Sequence, residues 1–182
     1  EMQWSLVGSD MCIRDSSRQL LEKVDATENL QMQAQQVRDW FGSAYAPTVE
    51  LAAGANELLA ELKSAGYILG IISNRSQPFH DVLDQLGISD WFDYTLAAGE
   101  IGHWKPNPAI FDHARASFEG LSAAECLYIG DNYFADGIGA AKAGMTPVIY
   151  DPEALYGETP ITCVENLGEG TAVLNSSINS KH

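Results

Sequence analysis

Apolar positions along this chain recur at two periods, one helical and one strand-like, and the two alternate. Over residues 17–44 the spacing is helical. Leu20, Leu21 and Val24 share one face, and Leu30, Ala34, Val37 and Phe41 continue it, with Ala26-Thr27 marking a break between two helices. This stretch has no partner long enough to form a core of its own, so it reads as part of a larger helical module. Pro47 opens a new unit. Leu58, Leu59 and Leu62 form the apolar face of a helix ending at Gly66, a position suited to a left-handed cap. The run YILGIISN (67–74) is unbroken and of strand length, the pattern of a parallel strand buried on both faces. Next come a short helix over 78–86 stopped by Gly87, a strand over 94–98 (YTLAA) and the loop GEIGHWKPNP. Asn107-Pro108 starts the following helix, cap residue first and proline at the first helical position, with Ile110, Phe111, Ala114 and Phe118 turned inward. Ser122-x-x-Glu125 has capping-box spacing, but strand residues follow almost at once and argue against one.

The chain is organised around residues 125–145, ECLYIGDNYFADGIGAAKAGM. A short apolar run (Cys126 to Ile129) ends in Gly130-Asp131, Asp136 follows, and a helical pattern runs on to Gly144. Strands over 147–150 and near 161–164 complete the series. Alternation of strand and helix from 47 to 164 predicts an α/β fold with a doubly wound parallel sheet. The two ends stand apart from it. Residues 1–16 show neither periodicity and resemble translated adapter or vector sequence, so they are expected to be a non-native leader. Residues 165–182 turn polar and Gly/Ser/Asn-rich, as a frayed tail does.

Composition narrows the partners. The 182 residues, 46% of them hydrophobic, suit one domain with a real core. A formal charge of −15 argues against a nucleic-acid or anionic-membrane surface. It also repels a phosphorylated substrate unless local cations or a bound metal reverse the field. No apolar run approaches the ~18–20 residues that span a bilayer, and no signal-peptide pattern opens the chain. Cys12, Cys126 and Cys163 are odd in number without C-x-x-C spacing, which suggests neither a disulfide framework nor a zinc site and points to a reduced, cytoplasmic compartment.

Parallel strands present their carboxyl ends on one side of a sheet. Three strand ends or the loops after them carry polar groups there: Ser73-Asn74, then Lys105, then Asp131 and Asp136. A hydroxyl, an amide, a lysine and an acidic pair outline a phosphoryl-transfer site, with lysine and hydroxyl on phosphate oxygens and carboxylates on magnesium. Arg75 stands close enough in sequence to offset the acidic field. His103 and Trp104 read as loop cover, His80 and His113 as helix-surface residues without a zinc spacing, and Cys126 as packing. Glu100 reads as a solvated carboxylate, Trp40 and Phe41 as helical packing.

With these motifs in this order, the chain resembles the haloacid dehalogenase superfamily in its capped phosphatase branch, the one that includes phosphoglycolate phosphatases. The resemblance covers residues 47–152 and rests on IISNRS (71–76), KPNPAIF (105–111) and YIGDNYFAD (128–136). It implies a Rossmann-like core over 47–164, with 17–46 as the remnant of a helical cap. It implies that Ser73 binds the transferring phosphoryl group with Asn74 and Arg75 nearby, and that Lys105 neutralises nucleophile and phosphate. Asp131 then ligates Mg2+, and Asp136 ligates it or orients its shell. The substrate expected is a small phosphorylated metabolite, the reaction magnesium-dependent phosphomonoester hydrolysis.

One departure from the family is central. Its nucleophile and general acid/base lie in a D-x-D strand end, and no D-x-D occurs in these residues. The expectation is a truncated member, inactive as given, with an apolar edge that favours aggregation. A non-catalytic phospho-ligand-binding protein and a carbon–halogen hydrolase are the alternatives. Lys105-Pro106 preceding Asp131 weighs against a receiver-like domain, and GIGAAKAG (137–144), which lacks the spacing of a dinucleotide-binding loop, weighs more against a nucleotide binder.

Overall fold

The computed structural model describes residues 49–169. The expected leader, the helical stretch over 17–44 with Trp40 and Phe41, and the tail beyond 169 lie outside the described residues. In chain order the elements are helix α1 (Ala55–Ser64), strand β1 (Gly70–Ser73), α2 (His80–Gln85), β2 (Tyr94–Ala97), α3 (Ala98–Ile101), α4 (Pro108–Ala116), β3 (Leu127–Gly130), a π-helical turn (Tyr133–Ile138), α5 (Gly139–Lys142), β4 (Thr146–Tyr150) and β5 (Thr162–Val164).

Every strand pairing among the described residues is parallel. β1 pairs with β2, Gly70 beside Tyr94 through Ser73 beside Ala97. β3 pairs with β4, and β4 with β5. Ladders therefore form two groups, β1-β2 and β3-β4-β5. Helices cover both faces, as the alternation of strand and helix predicts. Ile72 and Leu96 pack with Ile110, Phe111 and Ala114 of α4 and with Ala140 and Met145. Ile71 and Ala97, one residue over and so on the opposite face, pack with Phe79, Leu83 and Ile88. Leu58 and Leu62 of α1 close over Leu69 and Leu167 on the same side, beside Ile129 and Tyr150.

The punctuation residues act as their chemistry dictates. Gly66 and Gly87 take φ of 84° and 68°, left-handed geometry that ends α1 and α2. Asn107 caps α4, its side chain accepting from Ala109 N–H at 3.0 Å, with Pro108 in the first turn. Two expectations change. The strand expected over 67–74 is laddered only over 70–73, because Asp93 takes the Leu69 N–H with its carboxylate (2.9 Å) and Ile68 stays exposed. The capping box argued against at Ser122 is present: Glu125 Oε2 accepts from Ser122 N–H at 3.0 Å, and a single 3-10 turn, Ala123–Glu125, fits before β3. Among the described residues no helix is long and apolar enough to cross a membrane.

The loop after β1 is seated against the start of α3. Gly99 N–H donates to the Arg75 carbonyl at 3.0 Å, and a Cβ on Gly99 would stand 2.0 Å from the Ser76 carbonyl oxygen. Backbone cannot yield there as a side-chain tip can. Gly99→Ala should cost about 3 kcal/mol, the upper end of ordinary overpacking, read as a lowered urea midpoint. An unchanged midpoint would show that the loop after β1 is not held this way.

Candidate active site

Lys105 is the centre of the site. It lies in the loop between α3 and α4, only 3% exposed, although lysine is rarely buried without a partner. Asn74, just past β1, fixes its backbone from both sides: Asn74 Oδ1 accepts from Lys105 N–H at 2.7 Å and Asn74 Nδ2 donates to the Lys105 carbonyl at 3.0 Å. The Lys105-Pro106 peptide bond is cis. From this anchored position the ammonium donates to Asp136 Oδ1 at 2.6 Å, to the Tyr128 hydroxyl oxygen at 3.0 Å and to the Ile72 carbonyl at 3.2 Å. An ammonium has three donors, and all three are matched.

Asp136 reaches the lysine through the π-helical turn. Asn132 caps that turn, its Oδ1 accepting from Phe134 N–H (3.1 Å) and Ala135 N–H (2.8 Å). Its carbonyl accepts from Asp136 N–H and also from Gly137 N–H, the five-residue step of a π turn. The widened turn brings the Asp136 carboxylate back over the end of β3, where Oδ2 accepts from Asn132 N–H at 3.0 Å. Only glycine fits at 130: a Cβ there would lie 2.4 Å from Asp136 Cγ. Asp136 is 2% exposed, so this is a buried ion pair closed on itself.

Burial alone would lower the pKa of Lys105. Interaction with Tyr128 and with the Asp136 carboxylate outweighs it and holds the ammonium above the ordinary lysine range. Burial pushes the Tyr128 phenol up, so its hydroxyl stays neutral. Its ring meets Phe111 edge-on at 4.9 Å, which fixes the hydroxyl end.

The other expected residues have partners of their own. Ser73 is fully buried at the end of β1, its Oγ accepting from Arg75 N–H at 3.2 Å. Arg75 is half-buried, with Cζ 5.8 Å over the Phe79 ring. Asn74, expected beside a substrate, uses both ends of its amide on Lys105. Asp131, half-buried, lies in a turn buttressed from the loop after β4. Buried Asp151 accepts from Leu155 and Tyr156 N–H, and the Tyr156 hydroxyl donates to the Asp131 carbonyl at 3.1 Å. Glu100 is not a solvated carboxylate: its Oε2 accepts from Ala97 N–H at 2.7 Å and caps α3. Trp104 packs against the α4 core, while His103 and His113 are exposed. His80 Nε2 meets Thr95 Oγ1 at 2.8 Å. The Cys126 thiol is half-buried and burial raises its pKa, the opposite of an activated nucleophile.

Tyr128 and Asn132 were missed from sequence, and each leaves a signal. A tyrosine in an apolar strand must find a partner for its hydroxyl, and an asparagine before a helical pattern is a cap. For magnesium, the residues present fit poorly. Among the described residues no group of three or more His, Cys, Asp or Glu side chains gathers to hold a metal ion. Both Asp136 oxygens already accept hydrogen bonds, and a single carboxylate at Asp131 is too few for a hard cation.

Removing one partner of the ion pair leaves the other charged, buried and unmatched. Lys105→Met and Asp136→Asn should each cost about 3–5 kcal/mol, while the double variant should lose clearly less than the sum. The pH dependence has a definite sign. A lysine that holds its proton more tightly when folded contributes fully below the unfolded lysine's pKa, and this is lost only as pH rises through the higher folded value. The difference in unfolding free energy between wild type and K105M should therefore be flat from about pH 7 to 9 and shrink at higher pH. A difference already declining at neutral pH contradicts the pairing.

Comparison with known proteins agrees with this architecture. The family described as haloacid dehalogenase-like hydrolase matches residues 5–149, a range that begins inside the segment set apart as a leader. Ribulose-1,5-bisphosphate 5-phosphatase of Halopiger xanaduensis is 32% identical over 115 residues, 63% of this chain and 48% of that protein. Phosphoglycolate phosphatase of Nitrosococcus oceani is 35% identical over 97 residues, 53% and 42% respectively. The chain thus spans about half the length of the curated relatives it matches. A solved haloacid dehalogenase-type phosphatase from Thermococcus onnurineus superposes with a TM-score of 0.66 over 90% of this chain and 88% of that one, at 19% identity, a likeness of fold. With the family matched over most of its length and the parallel α/β architecture in place, the chain belongs to the haloacid dehalogenase-like hydrolases.

Proposed function

We propose that this chain is the phosphoryl-binding core of a phosphomonoester hydrolase for a small phosphorylated metabolite. As it stands, we infer that it binds the phosphoryl group without turning it over. The observation that carries this reading is the buried ammonium of Lys105, which donates to the Ile72 carbonyl one residue before Ser73 in β1 while Asn74 holds the lysine backbone. A fixed cation and a hydroxyl at the carboxyl end of a parallel strand stabilise phosphoryl oxygens, in the ground state and as charge develops. The relatives are named as phosphatases of phosphorylated metabolites, which supports the substrate class.

The binding-only part rests on the sequence. The family's chemistry needs an aspartate nucleophile from a D-x-D pair, and the chain contains no such pair. Lys105, Ser73 and Arg75 are then the groups assigned to the phosphoryl oxygens, and Asn74 positions the lysine. We assign Asp131 as the ligand this stretch offers to magnesium, and Asp136 as the partner of Lys105. One carboxylate does not hold that ion by itself.

Titration of the chain with inorganic phosphate, followed by phosphorus NMR or calorimetry, tests the reading. Saturable one-to-one binding is expected, weakened by about tenfold or more in K105A, the loss of a charge-assisted hydrogen bond. Release of phosphate from p-nitrophenyl phosphate should not exceed the K105A background. Turnover that K105A abolishes would overturn the binding-only part; binding that K105A leaves unchanged would overturn the site.

A further inference from the structure

The three N–H bonds of the Lys105 ammonium are all directed at protein acceptors. A phosphoryl oxygen can be bound by this lysine only if one of them is given up. The three are not equally exchangeable. Asp136 is a charge-assisted contact at 2.6 Å inside the protein, the strongest of the set. The Ile72 carbonyl belongs to the backbone of β1 and cannot turn away. The Tyr128 hydroxyl is different, because it has other partners in reach. Its oxygen lies 3.3 Å from the Ile72 carbonyl and 3.4 Å from Asp136 Oδ1, and its single proton can go to either. When the lysine leaves it, no buried polar group is left without a hydrogen bond.

We propose that Tyr128 is a positioning residue that holds Lys105 in a self-occupied state, and that a phosphoryl ligand binds by displacing the Tyr128 hydroxyl from the ammonium. Tyr128 therefore competes with the ligand for one N–H. The proton stays on the tyrosine and turns to Ile72 or Asp136; no bond other than hydrogen bonds is made or broken. This inference rests on the reading of Lys105 as the phosphoryl-binding group.

The competition fixes the sign of a substitution. Tyr128→Phe removes the acceptor that competes for the ammonium in the free state, while the bond its proton makes to Ile72 or Asp136 is lost from free and bound states alike and the ring stays against Phe111. Y128F should bind inorganic phosphate about three- to tenfold more tightly than wild type, the usual range for one hydrogen bond. A purely structural role predicts weaker or unchanged affinity, and either result overturns the proposal. Where Y128F does not fold, Tyr128→Leu serves the same comparison. A second measurement needs no substitution. In the wild-type chain labelled at tyrosine Cζ, phosphate should shift the signal of a tyrosine shielded from a soluble paramagnetic agent; no such shift overturns the proposal. K105A separates the two readings. If wild type binds phosphate and K105A does not, yet Y128F binds no more tightly, only the competition fails. If neither wild type nor Y128F binds phosphate in a K105A-sensitive way, the site itself fails.

Discussion

A lysine and an aspartate, each withdrawn almost completely from water, face each other at 2.6 Å beneath the strand ends of this domain. Taking two charges out of water costs several kcal/mol per ion, and their attraction repays this only where the remaining donors and acceptors are also matched. Much of the local structure can be read as the means of matching them. The Asn74 amide holds the lysine backbone, the Ile72 carbonyl and Tyr128 hydroxyl take its other two donors, and Asn132 N–H takes the second carboxylate oxygen. The absent side chain at Gly130 leaves room for Asp136, and the π turn delivers it. The contacts come from separate stretches of chain, so the pair ties β1, the loop before α4, and β3 with the turn after it into one unit.

The tie matters because strand pairing does not supply it. Among the described residues, β1 ladders only with β2 and β3 only with β4. The Ile72 carbonyl is matched by two side chains, Lys105 Nζ and Tyr128 Oη, in place of a strand. A buried backbone acceptor left unmatched costs about as much as a lost hydrogen bond. Side chains from the loop and from β3 meet that need here. The shared apolar layer of Ile72, Leu96, Phe111 and Met145 does the rest, spanning both ladders from one side.

The fold was legible in the sequence wherever local chemistry dictates it. Leu58 and Leu62 at helical spacing, Gly66 and Gly87 at left-handed caps, and Asn107-Pro108 at a helix start have local causes that need no knowledge of neighbours. That Lys105 and Asp136 lie beyond strand ends was legible too, since both follow strands in the chain. Their pairing was not. Whether Asp136 meets a metal or a lysine depends on a turn of five-residue steps, and hydrophobic periodicity does not register one widened turn. Asn74 looks the same in sequence whether its amide faces a ligand or a backbone. Tyr128 reads as one more apolar strand residue until the atoms around its hydroxyl are known.

The ion pair also bears on how an acidic chain handles a phosphoryl group. With a formal charge of −15, the protein repels anions at long range. Lys105 does little against that field, because Asp136 neutralises it at close contact. What the lysine offers is a set of directed donors in a dry setting, where hydrogen bonds are electrostatically stronger than in water. Arg75, half-buried and without a carboxylate contact among its described interactions, is better placed to supply unbalanced positive charge near Ser73. On the proposed reading, Lys105 would fix geometry through its three matched donors, and the long-range cost of approach would be met by Arg75 and by counter-ions from solution. A site built this way would depend on directed donors more than on net positive charge.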